Sequence, residues 1–192
     1  RCYSGINKQS KIKCKKFLSS FIKVNKYPLF ELNSITECET AKILENSYRA
    51  INIAFIDEWT KFSNLMKIDL LNIIKSIKVR PTHSNMMNPG LGVGGYCLTK
   101  DPLFADASAR LFLHKKISFP IIKKSIVINK KMPLFALNYI KENFRFSKKS
   151  KVLILGLSYK EDVGDLRHSP PIKLLKSLLK IKKNIKISDP LC

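Results

Sequence analysis

Carboxylates are scarce in this chain: 14 Asp and Glu stand against 36 Lys and Arg in 192 residues, a net charge of +22. Glycine is also scarce, at seven, and tryptophan occurs once. No apolar run approaches the ~20 residues that cross a bilayer, which excludes a hydrophobic membrane span. No signal-peptide pattern opens the chain. It begins at Arg1 with no initiator Met, as an internal piece of a longer protein would. The five cysteines, at 2, 14, 38, 97 and 192, are odd in number and contain no CxxC pair. That argues against a zinc site or a disulfide framework, so no metal is expected and a reducing, cytoplasmic setting fits.

What is abundant is lysine. Only six of the basic residues are Arg, the residue favoured for forked contacts to phosphates and bases. The lysines are scattered through Ile- and Asn-rich sequence and form no dense block. The pattern reads as solvated lysine faces, with salt-sensitive adhesion to polyanions ahead of specific nucleic-acid recognition. Hydrophobic residues make up 45% of the chain, enough for a packed core.

Residues 1–32 read as a short strand, a Lys-rich helix around 8–23 and a second short strand, the tail of an α/β unit. Ser34-Ile35-Thr36 then offers a helix start. From Glu37 to about Met66 there is neither Gly nor Pro, and Ile43, Leu44, Ile51, Phe55, Trp59 and Phe62 recur near helical spacing. One face of that helix is therefore expected to be buried. A further helix is expected over 65–77, then a Pro-, Asn- and Gly-rich loop over 79–95. Asp101-Pro102 predicts an N-cap and first residue for a helix to about Leu113. Another helix is expected over 120–142, kinked or restarted at Pro133. After a basic boundary at 147–151, KVLILGLSYK reads as a buried parallel strand. The helix PPIKLLKSLLK and a strand IKISDP follow, a β-α-β start.

The densest stretch is NPGLGVGGYCLTKDP, residues 88–102, with four of the seven glycines and one cysteine. A dinucleotide fingerprint would be GxGxxG after a buried strand and opening a helix. Here the pattern is GxGxGG, the preceding RPTHSNMMNP is a poor strand, and the next helix is expected only at Asp101. The loop is therefore not a dinucleotide loop. On the glycines alone it is equally a plain surface loop. Cys97 lies just ahead of a helix start, where unpaired N–H groups favour a nucleophilic thiolate. Asp101 reads as an N-cap that could also hold or activate water. On the long helix, Lys42, Asn46 and Arg49 share one stripe. Buried, that stripe would suit an anion or oxyanion; solvated, it is an ordinary polar face.

CETAKILENSYRAINIAFIDE, NPGLGVGGYCLTKDP and KVLILGLSYKEDVGDLRHSP, in that order, together resemble the UDP-glucose/GDP-mannose dehydrogenase family. The linking INKKMP adds to the resemblance, which covers nearly the whole chain. It implies an NAD-dependent oxidation of a nucleotide-sugar 6-hydroxyl to the uronic acid, through a thiohemiacetal and a thioester on Cys97. It further implies that Lys42 stabilises an oxyanion, that Asn46 holds the reacting oxygen or a water, and that Asp101 assists the water steps. Arg49, Asn88, Lys160 and the backbone of Gly94 and Gly95 would contact substrate, and Arg167 would lie near the coenzyme.

The implied fold is α/β: a mostly helical central dimerisation domain, 34–147, between the tail of an NAD-binding domain, 1–33, and the start of a UDP-binding Rossmann-like domain, 148–192. The implied partners are a nucleotide sugar, with a UDP-sugar favoured, and a second copy of the chain. Tyr96, Thr99, Asp57 and His168 depart from common family forms without removing a catalytic group. The family's GxGxxG domain would precede Arg1, so this stretch alone is expected to bind NAD poorly. A basic nucleotide-sugar or polyanion-binding module without catalysis, and a degenerate fragment, are the competing readings.

Overall fold

The computed structural model describes residues 1–147, 150–181 and 184–192. It is an α/β chain, mostly helical, in two compact units, Arg1–Asn46 and Ser47–Cys192. Part of the expected basic boundary, Lys148 and Lys149, lies outside the described residues.

In the first unit, strand β1 (Cys2–Tyr3) pairs in parallel with β2 (Phe30–Glu31), with α1 (Lys8–Ser19) between them in sequence. A capping box starts α1. The Asn7 side chain accepts the Ser10 N–H at 2.8 Å, and the Ser10 hydroxyl accepts the Asn7 N–H at 3.0 Å. Helix α2 (Ile35–Met66) starts as the sequence predicts: the Ser34 hydroxyl accepts the Glu37 N–H at 3.1 Å.

The boundary between the units falls inside α2. In the second unit α2 ends at Met66, Lys67 turns left-handed at φ 55°, and the Asp69 carboxylate caps α3 (Leu70–Ile77). The helix expected over 65–77 therefore begins five residues later than its spacing predicted. A one-turn helix α4 (Cys97–Lys100), a 3₁₀ turn at Asp101–Leu103 and α5 (Phe104–Leu113) follow. Helix α6 (Pro120–Asn143) is continuous through Pro133. Strand β3 (Val152–Leu155) pairs in parallel with β4 (Ile185–Ser188), with α7 (Pro170–Leu179) between them in sequence. Ser169 caps α7, accepting the Ile172 N–H at 3.4 Å, and Pro170 takes the first helical position.

The core of the second unit is the seam of α6 and α7. Leu137, Leu174 and Leu178 are buried there against Leu91, Phe146, Ile154 and Ile185. Leu174 and Leu178 are one turn apart, so α7 presents a single apolar stripe.

Two burial expectations are corrected. On α2, Leu44 is 68% exposed, and Phe55, Trp59 and Phe62 are 48%, 45% and 47% exposed. The buried positions are the small or polar Asn46, Ser47, Ala50, Ala54 and Asp57, together with Ile56. The bulky side chains instead stack on one another, Phe55 edge-on to Trp59 and Trp59 edge-on to Phe62, with ring centroids 6.3 and 5.5 Å apart. Strand β3 is also not buried on both faces. Leu153 and Leu155 are 59% and 75% exposed, because only one face of the two described strands meets the α6–α7 seam.

Candidate active site

Cys97 is the first residue of α4, exposed and with a free thiol. The structure thus places it inside a helical turn and not ahead of one. Asp101, one turn on, donates its backbone N–H to the Cys97 carbonyl. Residues so related project from the same face, so the half-buried Asp101 side chain leaves beside the thiol. Asp101 is not the expected N-cap. Because 97–100 is already helical, the chain enters the turn four residues early, and Asp101 closes α4 and opens the 3₁₀ turn.

The glycines ahead of Cys97 serve a close packing contact. Gly94 and Gly95 are buried, and Gly95 has φ +70°. A Cβ on Gly95 would lie 2.8 Å from Tyr159 Cζ, and one on Gly94 would lie 2.9 Å from Tyr159 Cγ. The Tyr159 ring thus fills the space on the Cβ side of both glycines. Gly92, at φ +100°, similarly approaches the Asn129 carbonyl.

The 157–169 segment also holds the loop through its backbone. The Gly95 N–H donates to the Arg167 carbonyl at 2.8 Å. The Thr99 hydroxyl closes the turn from within, donating to the Gly95 carbonyl at 2.8 Å. On the next residue, the Tyr96 ring collects charge. The Arg167 guanidinium carbon sits 5.0 Å from its centroid, the Lys100 ammonium 5.7 Å, and the His168 ring meets it edge-on at 5.0 Å. Asp165 balances this cluster, accepting from Arg167 Nε at 2.9 and 3.0 Å and from the Arg167 N–H at 2.9 Å. Those bonds hold the Asp165 carboxyl down at about 2. Asp189 anchors the base of the same segment, accepting the Leu157 and Ser158 N–H groups at 2.6 and 3.1 Å.

The structure therefore brings Cys97, Asp101, Gly94, Gly95 and Arg167 together. The other expected residues have different surroundings. Asn88 is exposed and accepts from the Lys78 ammonium at 3.1 Å. Lys160 and Arg49 are exposed. The stripe of Lys42, Asn46 and Arg49 is not buried as a unit: Asn46 is 1% exposed, while the exposed Lys42 is paired with Glu45 at 3.2 Å. Lys42 and Asn46 belong to the first unit and the other candidates to the second.

Sequence reasoning missed Tyr159, Asp165 and Asp189, which act through tertiary contacts without a local signature. It also missed the burial of Asp57. That carboxyl is 1% exposed, neither oxygen has a hydrogen-bond partner, and burial pushes it up to about 7. Among the described residues no group of three or more His, Cys, Asp or Glu could hold a metal, and no helix is long and apolar enough to cross a membrane.

Comparison with known proteins matches this arrangement to one family. Residues 36–131 match the central domain of the UDP-glucose/GDP-mannose dehydrogenase family, and residues 153–192 match its UDP binding domain. A UDP-N-acetyl-D-mannosamine dehydrogenase of Methanococcus aeolicus is 33% identical over 99% of this chain and 41% of its own length. The solved UDP-N-acetyl-mannosamine dehydrogenase of Staphylococcus aureus is 31% identical with a TM-score of 0.74, covering 100% of this chain and 43% of that one. The corresponding Pyrococcus horikoshii structure is 27% identical with a TM-score of 0.77, covering 100% of this chain and 44% of that one. The chain thus spans less than half the length of these relatives. By its matches in two consecutive domains, it belongs to the UDP-glucose/GDP-mannose dehydrogenase family.

Proposed function

We propose that this chain carries the thiol half of an NAD-dependent nucleotide-sugar 6-dehydrogenase whose substrate is a UDP-N-acetylhexosamine. The observation that carries the reading is an exposed Cys97 one turn from Asp101, on a loop clamped by Tyr159 and by the Arg167 carbonyl. The substrate class follows the named relatives, which are UDP-N-acetyl-D-mannosamine dehydrogenases. The domain division is 1–33, 34–147 and 148–192, with NAD bound chiefly by the first domain of the whole enzyme and the second forming a homodimer.

Bound NAD would accept a hydride at each of two oxidation steps. Arg167 fits a role beside it as an exposed cation next to Tyr96, although Asp165 shares its charge. The Cys97 sulfur adds to the C6 aldehyde formed in the first oxidation, giving a thiohemiacetal that cannot diffuse away. After the second oxidation the acyl group is a Cys97 thioester. Asp101 takes a proton from the water that attacks it, and Cys97 leaves as thiolate to release the uronic acid. The oxyanion roles of Lys42 and Asn46, and the substrate contacts of Arg49, Asn88 and Lys160, rest on the motif match alone.

Replacing Cys97 with Ser in the full-length protein tests this. Acid formation is expected to fall by ~10³-fold or more, as when a nucleophile is removed. Wild-type acid formation by that variant would reject the assignment.

A further inference from the structure

Three of the five cysteines, Cys2, Cys14 and Cys38, meet in the first unit, each from a different element: β1, α1 and the first turn of α2. All three are free thiols, with Cys2 exposed and Cys14 and Cys38 half-buried. The Cys38 thiol is hydrogen-bonded to the Cys2 thiol, and Cys14 is near enough to repel charge on Cys38 and on Tyr3. Among the described residues no group of three such side chains could hold a metal, so the cluster is not a metal site.

The backbone fixes both partners of the Cys2–Cys38 contact. Cys2 is paired in register with Phe30. The chain leaving β2 is then tied back to β1. The Leu32 N–H donates to the Tyr3 carbonyl at 2.9 Å, and the Ser4 hydroxyl and the Lys11 ammonium donate to the Leu32 carbonyl at 3.0 and 3.1 Å. Ser34 next sets the first turn of α2, where the Cys38 N–H donates to the Ser34 carbonyl at 3.3 Å. Two anchored segments therefore hold the thiols together. Sulfurs in hydrogen-bond contact need only a side-chain rotation to reach the roughly 2.0 Å of a disulfide.

The two thiols are chemically unequal. Burial, and then the neighbouring Cys2 thiol, push Cys38 up, so it keeps its proton. A protonated thiol reacts poorly with peroxide. Cys2 is exposed and is the one that an oxidant in solution reaches. The arrangement is an attacking thiol beside a resolving one, as oxidation-sensitive cysteines require.

We propose that Cys2 and Cys38 are a peroxide-reactive pair that closes to a reversible disulfide, stapling β1 to the first turn of α2. The Cys2 thiolate attacks hydrogen peroxide, the O–O bond breaks, and Cys2 sulfenic acid forms as hydroxide leaves. The Cys38 sulfur then attacks the Cys2 sulfur, the S–O bond breaks, and the departing hydroxide takes the Cys38 proton to become water. Two thiols and one peroxide thus give one disulfide and two waters. A thiol reductant reverses the step by exchange. Helix α2 carries Lys42 and Asn46, so the staple fixes the start of that helix on the strand pair. Neither Cys97 nor a nucleotide takes part.

The test is peptide mapping of the full-length Cys97→Ser protein, in which residue 97 cannot consume peroxide. The protein is treated with hydrogen peroxide, its remaining thiols are alkylated, and it is digested with trypsin without reductant. Residues 2–8, CYSGINK, are expected to be linked to residues 27–42, YPLFELNSITECETAK, with the loss of two hydrogens. Dithiothreitol is expected to abolish the linked peptide. Adding Cys38→Ser is expected to abolish it too, and to leave Cys2 as sulfinic or sulfonic acid. The linked protein is expected to melt several degrees above the reduced one, because the bond closes a loop in the unfolded chain, and Cys38→Ser is expected to show no such rise. The proposal is overturned if peroxide drives Cys2 to sulfinic acid with no linked peptide. It is equally overturned if Cys2 links to Cys14 or to another segment, or if the oxidised protein melts no higher than the reduced one.

Discussion

The ring of Tyr159 occupies the space that a side chain at Gly95 would need, with Cζ 2.8 Å and the hydroxyl oxygen 3.0 Å from where a Cβ would sit. Through this contact the segment after β3 sets the path of the chain into Cys97. The positive φ at Gly95 adds a second reason for glycine there.

Gly95→Ala should therefore cost about 1–3 kcal/mol from backbone strain, with further loss from the clash. Thermal unfolding of Gly95→Ala, Tyr159→Ala and the double variant checks this. The two changes should couple, with Tyr159→Ala doing less harm in the Gly95→Ala background. Additive losses would mean that Tyr159 is not what the glycine accommodates.

Asp57 makes stability depend on pH. Its carboxyl is raised by burial from an ordinary 3.8 to about 7 in the folded chain, with Lys61 opposing. Folding thus favours the protonated form. The favourable term is complete below about 4 and is lost as pH rises through about 7. Asp57→Asn should flatten the stability profile between those values and stabilise the protein at pH 8 by a few kcal/mol. Urea unfolding across that range decides it; an unchanged slope in the variant would place the titration elsewhere.

Most of this fold was legible because its punctuation is local. Ser34, Pro120 and Ser169-Pro170 announce helix starts wherever the chain later packs. The break at Lys67 was not legible, since no Gly or Pro marks it and the left-handed turn is closed by a backbone bond, Ile68 N–H to the Ser63 carbonyl at 3.0 Å. The loop glycines were recognised as meaningful, but the side chain they accommodate lies far along the chain. Periodicity found the Leu44, Phe55, Trp59 and Phe62 stripe correctly, yet spacing says which residues share a face and not what covers it. Asp57 differs from the common family form in the sequence, and only packing reveals that it is buried.

Arg167, whose carbonyl accepts the Gly95 N–H of the Cys97 loop, is paired with Asp165. Arg167→Lys removes the fork that contacts both carboxylate oxygens. The Asp165 carboxyl, now held at about 2, should then titrate closer to its ordinary 3.8, and the KM for NAD should rise by roughly tenfold. NMR titration of the carboxyl carbons, together with coenzyme kinetics, tests both parts. An Asp165 that still titrates near 2 would mean its backbone contact suffices.

The homodimer proposed for the central domain would bury its exposed Phe55, Trp59 and Phe62 cluster. Trp59 is the only tryptophan of these 192 residues, so the emission of this stretch reports on that surface. Trp59→Glu should convert a dimer to a monomer in analytical ultracentrifugation, while wild-type emission should shift to the blue as concentration rises. A wild-type protein that stays monomeric, or a variant that stays dimeric, contradicts this face as the interface.

The central claim is an alcohol-to-acid oxidation through a covalent Cys97 acyl intermediate. Its most direct measurement is the NADH yield per sugar consumed by the full-length protein supplied with UDP-N-acetyl-D-mannosamine and related UDP-sugars. The account predicts about two NADH for each sugar, with no free aldehyde, because the thiohemiacetal and thioester stay on the enzyme. One NADH per sugar with aldehyde released, or none from folded protein that binds NAD, would contradict it.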